Sequence, residues 1–352
     1  MELPLTYAIT DKILNNVAKI DVIQDFINRA SILPAWEKQL RHKAKIKSTH
    51  YSTRIEGNRL TLAQVEDLSK QNKVQGVTRN DIIEVQNYFK VLDYIETVAS
   101  NTMVFTHDII LKMHYITING ILEGDLKGKY RIQQNVVMNS STGDIEYMPP
   151  PYDEVPGLMD QLVKFLNNSS YMHPVLKAAI AHYEFVRIHP FMDGNGRVAR
   201  ALAMLVLYVK GYDLRKLFAL EEYYERDRQN YYAAIDSVRM QKGNVTGWIE
   251  YFVAGMLGEL ERVKQEIVSI EKDMGVGVPC TFNPRQMEAI TYIRKNGAIR
   301  NAEYRGKFKV SNKTAQSDLQ MMVDAALLKI EGKGRSLKYY PVTEQHKEGT
   351  ST

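Results

Sequence analysis

Apolar positions recur at helical spacing through most of this chain. Ile13, Leu14, Val17, Ile20, Ile23, Phe26 and Ile27 fall at intervals of three and four within residues 11–46, the period of an amphipathic helix. A short helix is expected over Ser48–Gly57, stopped by its glycine. Thr61-Leu62-Ala63-Gln64 has the Thr-x-x-Gln form of a capping box and opens another. Ile82, Val85, Phe89, Leu92 and Ile95 predict a helix over 81–99, and further helices are expected at 106–119, 155–166 and 174–187. From Gly124 to Pro151 the pattern changes to Gly, Pro, Ser and Asn with short β-prone pieces such as Val136-Val137-Met138, which reads as a hairpin or flap. After a turn at 188–196, residues 197–210 are apolar on almost every side, as in a central buried helix. Helices at 228–240 and 246–270 follow, then a Gly275-Val-Gly-Val-Pro279 linker. Beyond it come helices at 284–295, 301–308 and 311–325 and two short strands about Gly332-Lys333-Gly334.

At 352 residues the chain is long enough for more than one core. Its longest apolar run, Ala201–Val209, is far short of a membrane span, and the N-terminus lacks a signal-peptide pattern. The one cysteine, Cys280, allows no intrachain disulfide and no cysteine-based zinc site. These features point to a soluble cytoplasmic protein with no membrane partner. The net charge of +5 is local: residues 284–341 carry 12 basic against 5 acidic residues, a balance of +7.

The densest chemistry lies at His189-Pro-Phe-Met-Asp-Gly-Asn-Gly-Arg-Val-Ala-Arg200. A helix ends, a glycine turn follows and a new helix starts, which presents free backbone N–H groups to an anion. Gly194 and Gly196 permit close approach, and Asn195 tolerates left-handed geometry. Arg197 and Arg200, three apart, share a helix face and suit a polyphosphate. Asp193 is placed to hold magnesium against phosphate oxygens, and His189 to accept a hydroxyl proton. Gly124-Asp-Leu-Lys-Gly128-Lys129 looks like a P-loop, but it is one residue short and has Tyr130 where Ser or Thr is required.

The stretch 189–200 resembles the signature of the Fic family, His-x-Phe-x-Asp/Glu-Gly-Asn-Gly-Arg-x-x-Arg, at every fixed position. That resemblance implies a mainly α fold: a Fic helical bundle with a β-hairpin flap. It also implies transfer of AMP from ATP to Ser, Thr or Tyr hydroxyls of a target protein. By the same resemblance His189 is the general base, Asp193 holds magnesium, Gly194, Asn195 and Gly196 bind phosphates, Arg197 the distal phosphates and Arg200 the γ-phosphate. The related Doc kinases have lysine where this chain has Gly196, so the glycine favours AMP transfer. Residues 130–150 look like the family's flap, and Tyr231 and Tyr232 like its adenine contacts. His182 is read as a core histidine.

Ser52-Thr-Arg-Ile-Glu56-Gly57-Asn58 resembles the family's inhibitory motif, in which Glu56 pairs bidentately with Arg200 and keeps it from the γ-phosphate. The residues from 284 to 341 resemble a winged helix-turn-helix, with Ser311 as N-cap, Asn312, Lys313, Gln316 and Ser317 facing a groove, and Lys333 and Arg335 on the wing. The expected domains are 1–100, an N-terminal helical region with its inhibitory helix at 48–57; 101–272, the catalytic core; 273–283, a linker; 284–341, the winged helix; and 342–352, a disordered tail. Removal of AMP at the same site and a DNA-binding regulator with a nucleotide-sensing core stay open as alternatives. So do self-modification, a homodimer and DNA binding by 284–341.

Overall fold

The computed structural model describes residues 3–30, 32, 34–102, 104–122, 126–138, 143–168, 171–274, 282–325, 327–332 and 334–342. The expected Gly275–Pro279 linker, Lys333 and the tail after 342 lie outside them. The described chain is mainly helical and divides into two compact units, residues 1–29 with 40–264, and residues 30–39 with 265–352.

The first unit holds α1 (Asp11–Arg29) and, from Leu40, the greater part of α2 (Pro34–Ile55), whose first turns belong to the second unit. The periodic stretch read as continuous to residue 46 therefore breaks at Pro34. Proline lacks an N–H and sits without loss in a first helical turn, so it starts a new helix. The segment read as a separate helix at 48–57 is the end of α2, because no glycine or proline interrupts residues 35–56. Thr61 caps α3 (Leu62–Ser69) through the capping box with Gln64, and Thr78 caps α4 (Arg79–Asn101) in the same way with Asp81. Then come α5 (His107–Ile118) and a two-stranded antiparallel hairpin, β1 (Val137–Met138) and β2 (Ile145–Tyr147), with a register shift inside it. Helices α6 (Val155–Asn167), α7 (Pro174–Ile188) and α8 (Asn195–Val209) complete the core layer.

Helices α7 and α8 pack on each other and are enclosed nearly all round; Val198–Leu207 are all buried. Such a helix has no polar face to give to water, so it takes the centre, with α4 and α5 against it. A 3-10 turn at Leu214–Lys216 and a short α9 (Leu220–Arg226) have no counterpart in the sequence reading, because so few residues show no period. Helices α10 (Arg228–Met240) and α11 (Thr246–Met274) follow.

The second unit holds α12 (Pro284–Asn296), α13 (Asn301–Phe308), α14 (Asn312–Asp324) and the antiparallel pair β3 (Leu328–Glu331) and β4 (Lys338–Pro341). Its core gathers Ile290, Ile293, Ile299, Leu319, Met322 and Leu328, with Trp36 and Ile270 packed against them. Asp318 of α14 ties its helices together. It accepts from Arg285 at 2.7 and 3.1 Å, from Gln286 at 2.9 Å and from the Tyr304 hydroxyl at 2.9 Å. A buried carboxylate is tolerated only with such a full set of donors. Among the described residues no helix is long and apolar enough to cross a membrane.

Candidate active site

The turn between α7 and α8 is braced through its carbonyls, which meet side chains and backbone from three other segments. His189 ends α7 in the left-handed region at φ 48°. Its carbonyl accepts from Arg131 Nε at 3.0 Å, and the Pro190 carbonyl accepts from the Arg131 backbone N–H at 2.9 Å. The Phe191 carbonyl accepts from Asn195 Nδ2 at 2.8 Å and Asn135 Nδ2 at 2.9 Å. His114 lies 3.2 Å from the Asp193 carbonyl through Nε2, and its Nδ1 takes the Gly128 N–H at 3.1 Å. An Nδ1 that accepts leaves the proton on Nε2, so His114 donates to Asp193. The His114 ring also stacks on Phe191 at 3.6 Å between centroids.

Gly194 caps α8 at φ 79°, and a side chain there would meet Ile118 Cγ2 at 2.9 Å. Backbone angle and space both demand glycine. The helix begins at Asn195, two residues before the start read at Arg197, because the left-handed Gly194 lets the chain turn directly into α8. The first bond inside α8 is Val198 N–H to the Gly194 carbonyl at 3.0 Å, so the amides of Asn195, Gly196 and Arg197 have no intrahelical acceptor. The Asn195 side chain braces the loop, both its groups engaging Phe191, and its backbone N–H remains for an anion.

Arg197 and Arg200 sit together at 3 % exposure each. Arg197 contacts Glu84 Oε1 at 2.9 Å and Asp193 at 3.4 Å, and its Nε is buried with no hydrogen-bond partner. That unsatisfied donor fits an anion arriving at this wall. Asp193, whose side chain is 49 % exposed, offers a carboxylate at the mouth. Among the described residues there is no cluster of three metal-ligating side chains. A lone carboxylate suits a magnesium ion that brings phosphate oxygens with it.

Arg200 is held by the end of α2. Its Nε donates to Ser52 Oγ at 2.9 Å, and its Nη2 to the Ser52 carbonyl and to Glu56 Oε1, each at 2.8 Å. The bidentate Glu56–Arg200 pairing expected from the sequence is therefore a contact through one carboxylate oxygen, because Ser52 already takes Nε. Burial pushes the Glu56 carboxyl up, but the charges of Arg200 and Arg197 outweigh it and leave its pKa below the usual value. Gly196 lies directly under this contact; a Cβ there would collide with the Glu56 carboxylate.

Burial lowers the His189 imidazole to about 4, more than the Val186 carbonyl and Glu56 raise it, with Arg131 adding to the fall. Its Nδ1 lies 3.3 Å from the Val186 carbonyl, which can only accept. The proton is thus on Nδ1, and Nε2 carries a free lone pair. Of the two tyrosines, Tyr231 is enclosed: it stacks on Tyr224 at 4.6 Å and its hydroxyl lies 3.1 Å from His182 Nε2. Tyr232 is 42 % exposed. His182 is fully buried and stacks on Trp248, as expected of a core histidine.

Ser52 belongs to the 52–58 motif, but no local signal reveals its hold on Arg200. His114 carried a signal, a polar residue on the buried face shared by Ile110, Met113 and Thr117. Glu84 and Arg131 carried none, one lying among ordinary helix charges and the other in an aperiodic segment. Glu84 also accepts from Asn58 Nδ2 at 2.8 Å, so the residue closing the 52–58 motif and Arg197 share one carboxylate.

Comparison with known proteins places this geometry. Residues 104–207 match the model of the Fic/DOC family. Protein adenylyltransferase Fic of Drosophila ananassae is 32 % identical over 180 residues, which are 50 % of this chain and 34 % of the relative. Its Drosophila melanogaster counterpart is also 32 % identical over 180 residues, covering 35 % of its own length. The chain thus spans about a third of these curated relatives. A Fic family protein from Desulfovibrio desulfuricans G20 aligns over 99 % of both chains at 25 % identity and a TM-score of 0.69. Fic-1 from C. elegans aligns over 74 % of each chain at 23 % identity and a TM-score of 0.62, a likeness of fold. A left-handed histidine, a helix start with free amides and two buried arginines thus stand within residues 104–207, the stretch that matches the Fic/DOC family model.

Proposed function

We propose that this protein transfers AMP from ATP to a Ser, Thr or Tyr hydroxyl of a protein, itself included, and that Glu56 holds the resting enzyme off. The observation that carries the reading is the pairing of a free imidazole Nε2 at His189 with an amide-lined helix start and two buried guanidinium groups. Relatives named as protein adenylyltransferases support it.

In this reading the triphosphate lies on the amides of Asn195, Gly196 and Arg197, with Arg197 and Arg200 on the distal phosphates. Tyr232 offers a ring face to the adenine. Asp193 would hold magnesium, which adds positive charge beside the phosphates. The target hydroxyl docks beside the 130–150 flap by strand addition. His189 Nε2 takes its proton; the oxygen bonds to the α-phosphorus as the bond to the leaving pyrophosphate breaks. Positioning and charge neutralisation supply most of the rate. The test uses two labels. With α-labelled ATP the Glu56→Gly protein gains label; with γ-labelled ATP it does not. Label from the γ-position only would assign phosphate transfer instead and overturn the reading. Removal of AMP at the same site remains the alternative.

The second reading concerns residues 284–341 as a winged helix that binds duplex DNA. It is favoured by the exposed first half of α14, where Asn312, Lys313, Gln316 and Ser317 follow one another with no exposed acid among them, the exposed Asp324 lying at the other end of the helix. Ser311 caps that helix through the Thr314 N–H at 3.1 Å. The full chain should retard a duplex, with binding that weakens steeply as salt rises and is reduced by Lys313→Glu. Absence of a salt-sensitive shift leaves a protein-interaction module.

A further inference from the structure

Arg131 is a buried cation that neither motif includes. It is 2 % exposed, and among the described residues its hydrogen-bond partners are carbonyls. Nε donates to His189 at 3.0 Å, Nη1 to Gln133 at 3.3 Å, and Nη2 to Pro150. Its backbone N–H adds the Pro190 bond at 2.9 Å. Gln133 and Pro150 are the two roots of the segment that carries β1 and β2, and His189 and Pro190 open the α7–α8 turn. One planar guanidinium thus joins both roots of the flap to the backbone of the histidine. Desolvating a guanidinium is costly without good partners, and lysine, with one nitrogen, cannot span three separated acceptors in a plane. The group it holds is itself unusual. His189 lies at φ 48°, a region that non-glycine residues occupy only when the surroundings over-determine it.

Resting on the transfer reading above, we infer that Arg131 is a positioning residue for the reaction. It fixes the distance and direction from the flap to the His189 imidazole, so that a hydroxyl docked beside the hairpin comes within reach of Nε2. None of its four acceptors belongs to the anion-facing amides or to Arg197 and Arg200. Its loss therefore acts on the transfer step and leaves nucleotide binding in place. A residue needed only for the fold would disturb both.

The test is made in the full-length Glu56→Gly protein with α-labelled ATP. Arg131→Met should lower the single-turnover rate of self-labelling by about 100-fold, the scale of an ångström-sized misplacement of a reacting group, while ATP affinity by calorimetry stays unchanged. Arg131→Lys should fall between, and it carries the comparison if the Met variant has no cooperative thermal transition. A second readout needs no turnover. The charges facing the His189 ring are Glu56 at the end of α2, Asp193 on the loop and Arg131 at the flap root. Removing the last, a cation, should move the His189 titration upward by NMR. Failure of the Glu56→Gly parent to label speaks against the transfer reading, and the NMR titration still judges Arg131. An unchanged labelling rate, an ATP affinity that falls in step with the rate, or an unmoved His189 titration overturns the inference.

Discussion

Self-labelling from α-labelled ATP should rise about 10- to 100-fold in Glu56→Gly, the effect expected from removing one charge-assisted hydrogen bond worth about 1.5–3 kcal/mol to a group proposed to meet the substrate. Glu56 Oε1 sits 2.8 Å from Arg200 Nη2, and a phosphate oxygen would have to displace it. The other two Arg200 contacts go to Ser52 and remain, so the guanidinium stays in place in the variant. Release by pH is not expected in the neutral range. The Glu56 pKa is depressed, so its charge is present at the ordinary carboxylate value and above, and is lost only as pH falls through the lowered one. Glu56→Gln should show the same direction as Glu56→Gly with a smaller rise, since an amide oxygen still accepts. ATP that binds to Glu56→Gly without any label appearing on protein would remove the basis of the proposed transfer.

In that released background His189→Ala should lower the transfer rate by about 10²- to 10⁴-fold, the range for a positioned general base, with ATP affinity little changed. The imidazole is lowered to about 4 chiefly by burial. The sign follows directly: neutral imidazole, the form that accepts a proton, dominates above that value and is lost as pH falls through it. The rate of the released enzyme should therefore be flat through the neutral range and decline only on the acid side. Glu56 raises the His189 value, so its removal moves the decline further toward acid. A rate that falls between pH 7 and 6 would point to a different titrating base, and an alanine variant with undiminished rate would take His189 out of the chemistry.

The turn between α7 and α8 was legible in the sequence because its demands are local. Gly194 must adopt a positive φ, Asn195 must reach back four residues to Phe191, and Arg197 and Arg200 must share a helix face; each depends on neighbours a few residues away. The helices were legible where their period was long, as in α4, and illegible where seven residues formed α9. Two features misled the reading of α2. The apolar spacing runs on across Pro34, and Gly57 marks the end of a long helix as plainly as that of a short one.

What local pattern could not supply was the identity of partners distant in the chain. Ser52 and Glu56 lie 148 and 144 residues from Arg200, and Glu84 lies 113 from Arg197. Arg131 is 58 residues from His189. The family pattern named Glu56 as a partner of Arg200, yet the division of that guanidinium between Ser52 and a single carboxylate oxygen is settled by packing, since only one geometry fits around a side chain at 1 % exposure. The same holds for Glu84 and Arg131. Nothing in a charged residue's neighbours reveals which buried group it will neutralise or which carbonyls it will gather. By itself the sequence determined where a glycine turn opens a helix with free amides beside two arginines, because such a turn is a short-range object. The tertiary structure decided what restrains each arginine and what orients the histidine, because those contacts exist only once distant helices have excluded water between them.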